Sequence, residues 1–441
     1  MRVTWESLKF LKKNGGPVLR VLQATSLFLL VILFRTGFDI DIKPFAAFFI
    51  LFANAYMVYA SRHNIMMLLI TPIILYCNYS ILYVNVIHIL KSSYYTTILS
   101  PSVSNISLNA LLGLTCILLL FVRWDKIKKV KSVSFPVRKK VNPIVFFFLV
   151  LILVAVFFKG FTRPTALGER GEPHPVYEYS LAFFILLFYL FGNWKTGRVI
   201  GVILVCFYSL QNFIFGGRIM GIQFLLCAYL MYYVKVIPKK IVAIALVFFV
   251  LFMSVIGTMR AELLLGGFSV RGIVQALAEN GFALDTAYAA YFTSETYVFC
   301  HDLIPQSERL FLFGQFIRGI FLSMNPEYVV PEITNAYVTH YGGGMPPHFF
   351  YFYIGPLGVL ISGILIAVYL NIVRKVTTRT PGLIKCIGVF VVCHTFRWYL
   401  YSPLGLLRGI LFLVIVYYGF VFLRQLLRIK KKRSVVYGVS Y

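Results

Sequence analysis

One histidine and four arginines carry the side-chain chemistry expected at a site that handles protons and phosphate. His348 closes a Gly-Gly-Gly-Met-Pro-Pro-His segment that leads directly into an apolar run. With an ordinary pKa of ~6.5 it exchanges a proton near neutral pH, so it is a candidate general base. Arginine binds phosphate oxygens through two parallel hydrogen bonds. A polyphosphate ligand would therefore suit arginines such as Arg218, Arg260, Arg271 and Arg318.

The positions of His348 and Arg218 also allow purely structural roles. Arg218 follows Gly216-Gly217 in a very short turn between two apolar runs. The glycines permit a tight turn and hold the arginine at the membrane boundary. An arginine there is a candidate for substrate binding, but it also serves as an anchor whose side chain reaches the aqueous phase. His348 could equally cap a helix or pack in a core, and both alternatives stay open.

The composition places these residues in a helical membrane protein. Hydrophobic residues make up 60% of the chain, charged residues make up 13%, and the mean hydropathy is +0.83. The long apolar runs are continuous rather than alternating, which favours helices over a β-barrel. We predict an all-α polytopic fold with about twelve transmembrane helices of roughly 20 residues each. Their residues are 18–36, 44–60, 65–89, 107–122, 143–158, 177–192, 199–215, 219–234, 241–258, 350–373, 383–400 and 404–423.

The basic residues predict the orientation of these helices. With both termini cytoplasmic, the inner segments carry 29 of the 42 basic residues and two of the 15 acids. The excess of +27 therefore lies on one face, and it needs no nucleic-acid partner because membrane lipid explains it. The outer face has ten arginines but three lysines. This bias favours a polyphosphate ligand, although ordinary ion pairs with the outer acids are the alternative.

The longest hydrophilic connection divides the chain into three parts. We predict nine transmembrane helices in residues 1–258, a large outer loop in residues 259–349, and three helices with a basic cytoplasmic tail in residues 350–441. The loop contains no lysine and eight acids. Within it, residues 269–280 and 306–323 have the caps and apolar spacing of short helices. The second of these predicts an amphipathic helix along the membrane surface, with Leu310, Phe313, Ile317 and Ile320 on one stripe.

The cysteines and histidines predict neither a disulfide framework nor a metal site. There are seven cysteines, no pair has the CxxC spacing, and six of them lie within the predicted spans. The histidines of the loop have no helical metal-ligand spacing. We therefore predict a site with no cofactor and no metal.

Two motifs resemble those of a known family. Gly-Gly-Arg218 before an apolar span is similar to the small-residue–Arg motif of bacterial O-antigen polymerases and ligases. His348 with Gly355 and Gly358, in Pro-Pro-His-Phe-Phe-Tyr-Phe-Tyr-Ile-Gly-Pro-Leu-Gly, resembles the His…Gly-x-x-Gly motif that ends their large periplasmic loop. The order of spans, loop and closing motif covers most of the chain and most resembles the Wzy-type polysaccharide repeat-unit polymerases.

The resemblance implies a GT-C-like glycosyltransferase of the bacterial inner membrane with a periplasmic active site. Its donor and acceptor would be undecaprenyl-diphosphate-linked oligosaccharides, and a chain-length regulator protein would be its partner. Transfer would be inverting and metal-independent, with His348 as the general base and the arginines, Arg218 first and Arg260 second, stabilising the diphosphate leaving group. Tyr351, Tyr353 and Arg397 would line the sugar cleft, although the tyrosines also suit an interfacial aromatic belt.

Three competing functions remain. An O-antigen ligase has nearly the same chemistry and uses a lipid A core as the acceptor. A mannosyltransferase of the GT-C type would use an acidic pair in the first outer loop, where Asp39-Ile-Asp41 stands. A lipid-linked oligosaccharide flippase or other transporter belongs to a different class, and we expect it to have similar halves and ionisable residues deep in several spans.

Overall fold

The regular structure of the described residues is helical. The computed structural model describes residues 16–86, 100–130, 143–161, 171, 173–192, 194–215, 217–238, 241, 245, 248, 255, 269–272, 274–275, 286–322, 324–340, 342–377 and 380–436. Within these ranges eighteen α-helices are numbered in chain order. They are α1 Pro17–Arg35, α2 Lys43–Ser61, α3 Ile65–Asn78, α4 Ser80–Asn85, α5 Pro101–Phe121, α6 Pro143–Lys159, α7 Pro175–Glu178, α8 Ser180–Phe191, α9 Lys195–Ile214, α10 Arg218–Met231, α11 Thr286–Leu303, α12 Gln306–Phe321, α13 Val330–Asn335, α14 Pro346–Ile354, α15 Pro356–Lys375, α16 Gly382–Cys393, α17 Thr395–Leu400 and α18 Pro403–Val436.

Seven helices of the described residues are long and apolar enough to cross a membrane, which confirms a helical membrane protein. The count of twelve spans stays a prediction, and the span at 241–258 lies outside the described residues except at single positions. The seven are Pro17–Arg35, Lys43–Ser61, Ile65–Leu82, Pro101–Phe121, Lys195–Ile214, Pro356–Lys375 and Pro403–Leu423. Four shorter apolar helices are Pro143–Lys159, Val176–Phe191, Ile219–Met231 and Gly382–Cys393.

Proline and short polar residues start many of these helices. Proline suits the first helical position because its fixed φ is already helical and its missing N–H would have no partner there. Asn64 caps α3, since its Oδ1 accepts from the backbone N–H groups of Met66 and Met67. Ser100 caps α5 in the same way. The helices that begin with proline are α1, α5, α6, α7, α14, α15 and α18.

The described chain forms two compact units. The first comprises Met1–Lys131, Ala243–Lys375 and His394–Leu406, and the second comprises Ser132–Val242, Val376–Cys393 and Leu407–Tyr441. These units draw on different segments from the three parts expected from the sequence. In the first unit α5 is the central helix, because 89% of its apolar window is buried and it packs against α1, α2, α11, α14 and α15.

The second unit is built around α8, which packs against α6, α9, α10 and α16. Aromatic side chains fill its core, with Tyr208 stacked on Tyr177 and in edge contact with Phe184 and Phe224. Tyr177 accepts a hydrogen bond of 2.8 Å from Asn212. Gly217, which belongs to the predicted short turn, immediately precedes α10.

The first unit has two ends of different chemistry. At one end Asn64 donates to the carbonyl oxygens of Lys128 and Arg374, and Arg374 donates to the carbonyl of Lys126. We call this the basic end. At the other end the carboxylate of Asp39 accepts from Ser102 at the start of α5, at 2.6 Å. Because α5 runs from one end to the other, its first two turns lie at the end opposite the basic end.

The described part of the predicted loop contains helices α11, α12 and α13. The expected helix at 306–323 is confirmed as α12, Gln306–Phe321. Its buried face consists of Leu312, Phe316 and Gly319. On the predicted apolar stripe, Leu310 and Ile317 are 48% and 42% exposed, as expected of side chains that face lipid. Of the expected helix at 269–280, residues 270–272 and 274–275 are helical and the rest lie outside the described residues.

Candidate functional site

A glycine strap, Gly342–Gly344, fixes the position of α14. All three glycines have positive φ, at 75°, 93° and 131°, and Gly344 lies directly against the ring of Tyr297. Thr293 and Tyr297 of α11 donate to the carbonyls of Gly342 and Gly343, and the Ser294 hydroxyl accepts from the backbone N–H of Met345. The glycines are needed for their backbone conformation and for the close approach to α11.

This strap delivers His348 into a buried position against α5. The side chain is fully buried, and its Nε2 lies 2.8 Å from the carbonyl oxygen and 2.9 Å from the hydroxyl of Ser107. A carbonyl only accepts, so we assign the ring proton to Nε2. The Nδ1 atom then carries the lone pair and has no donor among the described residues, while the backbone carbonyl of Met345 is a second polar group near the ring. His348 is thus anchored through one nitrogen and keeps a proton-accepting atom at the other.

Tyr291 of α11 connects His348 to the neighbouring helices. Its ring meets the imidazole edge to face, with 6.4 Å between the ring centroids. The Tyr291 hydroxyl accepts from Asn85 Nδ2 at 3.0 Å and is also within hydrogen-bonding reach of Ser107. Four helices, α4, α5, α11 and α14, therefore each contribute one polar side chain to the same buried place.

Glu295 is the acid of this site, and it is nearly as buried as the histidine. Its exposed fraction is 6%, and its Oε1 has no hydrogen-bond partner within the described part of the chain. The carboxyl group hydrogen-bonds to Ser104 of α5, and the half-buried Lys43 at the start of α2 is the nearest cation acting on it. A buried carboxylate is usually fully hydrogen-bonded or tightly paired. Here one oxygen is left available.

Helical spacing brings Glu295 and His348 together. Ser104 and Ser107 are one turn apart on α5, so their side chains lie on one face, with Cβ atoms about 5–6 Å apart. Glu295 binds the first serine and His348 binds the second. Tyr291 and Glu295 are likewise one turn apart on α11. We call this set the polar cluster. Its members are Asn85, Ser104, Ser107, Tyr291, Glu295 and His348.

Burial changes the proton affinities of the two titratable groups in opposite directions. It lowers the pKa of His348 to about 4, so the imidazole is neutral at physiological pH. Burial raises the pKa of Glu295 from its ordinary value of 4.5 to about 7, against the opposing effects of the Ser104 hydrogen bond and the charge of Lys43. Helices α11 and α14, which carry these two groups, are not among the helices long and apolar enough to span the membrane. The cluster therefore holds a carboxyl group that exchanges a proton near neutral pH.

The predicted cleft residues lie in the same unit as His348. Tyr351 is buried against His301, with ring centroids 4.9 Å apart. Tyr353 is fully buried among phenylalanines of α12 and α14, and its hydroxyl has no hydrogen-bond partner among the described atoms. Arg397 is half-buried and its guanidinium lies 5.0 Å from the ring centre of Tyr401.

Two of the four predicted diphosphate-binding arginines, Arg271 and Arg318, have side chains within the described residues. Arg218 is the first residue of α10, in the second unit, and its side chain lies outside the described residues, as does the whole of Arg260. Arg271 and Arg318 belong to the first unit and are exposed. Within the described structure neither hydrogen-bonds to the polar cluster. Their predicted role stays a prediction.

The acidic pair of the first outer loop is partly engaged in holding that loop. Asp39 accepts hydrogen bonds from Ser102 at 2.6 Å and from Asn105 at 3.4 Å, while Asn109 donates to the carbonyls of Phe38 and Ile40. The loop between α1 and α2 is thus fastened to the first two turns of α5. This arrangement gives Asp39 a structural task at the same end of the unit as the polar cluster.

Glu295 was not among the site residues predicted from the sequence, although its position as an isolated charge indicated it. Between Thr286 and Cys300 it is the only charged residue in a stretch rich in alanine and aromatic residues. An isolated acid in such a helical run is a functional candidate in a membrane protein. Ser104 and Ser107 carried no comparable signal. Among the described residues, no three histidine, cysteine or acidic side chains converge to hold a metal ion.

Comparison with known proteins adds no relative. No family model, no curated protein and no solved structure matches this chain.

Proposed function

We propose that this chain is a membrane glycosyltransferase that polymerises undecaprenyl-diphosphate-linked oligosaccharide repeat units into a surface polysaccharide. The proposal includes twelve spans, cytoplasmic termini and a site at the periplasmic face of a bacterial inner membrane. One observation carries it. Two buried proton acceptors, His348 and Glu295, bind serines one helical turn apart on α5, at the end of the first unit opposite the basic end.

The charge of the two ends supports the periplasmic orientation. The basic end carries Lys126, Lys128 and Arg374, and excess positive charge marks the cytoplasmic side of a membrane protein. The polar cluster lies toward the opposite end, which the proposal assigns to the outer leaflet. A lipid-linked substrate whose glycan lies outside the membrane would reach the cluster from that side.

The chemistry of polymerisation suits such a cluster. A hydroxyl of the acceptor sugar loses its proton as its oxygen attacks the anomeric carbon of the donor. The bond between that carbon and the diphosphate breaks, and the lipid diphosphate leaves with the bonding electrons. A proton acceptor is needed on one side of the reaction and positive charge on the other. The proposal assigns the first role to the polar cluster and the second to outer arginines, with Arg218 first among them.

A lipid-linked oligosaccharide transporter is the second candidate, and Glu295 itself favours it. A buried carboxyl group that exchanges a proton near neutral pH is also what a proton-coupled transporter requires. Such a protein would move the lipid-linked unit across the membrane and leave its glycosidic bonds unchanged.

Complementation of a deletion strain tests the proposal. Surface polysaccharide is resolved on a gel from cells that lack this gene and carry wild-type protein, His348→Ala or Arg218→Ala. We expect the deletion strain to show single attached repeat units, wild type to restore a ladder, and both variants to fail at normal expression. His63→Ala is the matched control, because His63 is exposed near the basic end, and it should restore the ladder fully.

Other patterns would contradict the proposal in different ways. Long lipid-linked chains with no attached glycan would indicate a ligase, and accumulation of cytoplasmic-side lipid-linked units would indicate a transporter. A full ladder from both His348→Ala and Arg218→Ala would refute the assignment of the site. An unchanged polymer in the deletion strain would remove the polymerase function altogether.

A further inference from the structure

The polar cluster contains two proton acceptors that differ in what holds them. His348 is tied through Nε2 to both polar groups of Ser107, and its ring is packed against Tyr291. Glu295 has one oxygen engaged by Ser104 and one oxygen, Oε1, without a partner among the described residues. A reaction at this site therefore has two candidate bases, and the structure distinguishes them.

Retention of the acid at this position has a physical cost. A carboxylate removed from water loses its solvation, and a half-buried lysine with one serine hydrogen bond compensates only part of that loss. Glutamine would have nearly the same shape, would keep the bond to Ser104, and would carry no charge. The presence of a charged group where a neutral one would be more stable points to a role in proton exchange.

The groups around Glu295 set its proton affinity. The charge of Lys43 on α2 acts on it, and the hydroxyl of Ser104 on α5 binds it. On its own helix Tyr291 and Tyr288 lie one and two turns away. His348, on α14, is neutral and adds no charge beside the Glu295 carboxyl. A general base works best when its pKa lies near the working pH. The carboxyl of Glu295 meets that condition, whereas the strongly lowered pKa of His348 makes it a weak base.

We propose that Glu295 accepts the proton of the acceptor sugar hydroxyl. His348 is then a positioning residue, which orients Ser107 and Tyr291 around the Glu295 carboxyl. This inference rests on the proposed glycosyltransferase function. The hydroxyl proton moves to Oε1 of Glu295, the hydroxyl oxygen bonds to the anomeric carbon, and the carbon–diphosphate bond breaks. The protonated carboxyl then returns its proton to solvent before the next cycle.

The pH dependence of transfer by the full-length protein tests this inference. The purified protein in detergent or nanodiscs is given lipid-diphosphate-linked repeat units, and product length is followed from pH 5 to pH 9. With Glu295 as the acceptor, the wild-type rate falls roughly tenfold per pH unit below about pH 7. With His348 as the acceptor, the rate would stay constant across this range, because burial holds its pKa at about 4.

Variants separate the two residues. Glu295→Gln should lower the rate by ~100-fold or more and flatten the profile. His348→Gln should lower the rate but keep the decline near pH 7. Lys43→Met should move that decline to higher pH, because the cation that favours the ionised carboxylate is gone. Glu308→Gln, an exposed acid on α12, is the matched control and should leave rate and profile unchanged.

The wild-type profile decides the outcome even where a variant folds poorly. A flat wild-type profile between pH 5 and pH 9, or a Glu295→Gln variant that keeps both rate and profile, would overturn the role of Glu295 and leave the glycosyltransferase function standing. Absence of any product longer than the supplied unit from folded wild-type protein would overturn the proposed function, and the role of Glu295 with it.

Discussion

Glu295→Gln should stabilise the folded protein, and the gain should depend on pH. Burial raises the pKa of the Glu295 carboxyl from 4.5 to about 7, so the folded state holds a proton that the unfolded chain releases above pH 4.5. A carboxyl with a raised pKa therefore weakens folding progressively as pH rises from about 4.5 to about 7, and the loss is constant above that. At ~1.4 kcal/mol per pKa unit, ionisation at this site costs ~3 kcal/mol at pH 8 and less than ~1 kcal/mol at pH 5.

The substitution removes that cost because glutamine has nearly the same volume and no charge. Its amide keeps the hydrogen bond to Ser104, and its added donors offset part of the gain. The difference in the free energy of unfolding between variant and wild type should be about 2.5 kcal/mol larger at pH 8 than at pH 5. For a chain of this length, at ~2.1 cal/mol/K of unfolding entropy per residue, that corresponds to ~3 °C in the apparent Tm.

Thermal unfolding in detergent at pH 5 and pH 8 measures this difference for each protein. Each variant is compared with wild type at the same pH, which cancels the pH dependence of all other groups. Glu308→Gln is the control, since an exposed carboxyl should show no such change. If Glu295→Gln shifts the Tm equally at both pH values, the carboxyl is not held in a buried, proton-retaining state, and our account of the site is refuted.

Two further pairs of substitutions test the glycine strap and the basic end of the first unit. Gly344→Ala should destabilise the protein by several kcal/mol, because φ is +131° and the new Cβ would overlap the ring of Tyr297. Gly314→Ala is its control on α12, where the space around the glycine is open, and it should stabilise the protein by no more than ~1 kcal/mol. Asn64→Ala should lower the free energy of unfolding by ~2–4 kcal/mol, because it removes the cap of α3 and leaves two carbonyls without their donor, whereas Asn64→Ser should keep a capping oxygen and lose the amide donors. Thermal unfolding of purified protein measures both, and equal Tm values within either pair would contradict the corresponding reasoning.

Helices whose apolar residues face lipid or a core were predictable from the sequence. The runs at 18–36 and 44–60 correspond to Pro17–Arg35 and Lys43–Ser61, since continuous hydrophobicity of sufficient length leaves few alternatives in a membrane. The span predicted at 107–122 starts six residues later than the helix observed there. Helix α5 begins at Pro101, and its first two turns contain polar residues such as Ser102, Ser104 and Asn105 that a hydropathy pattern assigns to water.

One predicted span differs from the observed helices because backbone geometry interrupts its apolar run. The expected span at 350–373 is divided at Gly355, whose φ of 60° ends α14 and starts α15. Gly358 then lies so close to the Phe350 backbone that a Cβ would overlap it. The resemblance drew attention to both glycines as a motif. Their physical task is to turn the chain sharply between two helices.

The amino-acid sequence alone was enough to predict a helical membrane protein and to single out His348 as a candidate site residue. These properties depend on residues near one another in the chain or on sums over the whole chain. Only the tertiary structure decided what accompanies His348. Ser107 is 241 positions away in the sequence, and Glu295 reaches the same face of α5 from a third helix. Burial by several helices at once changes the proton affinity of both groups, so no local pattern could have shown which of them is the better base.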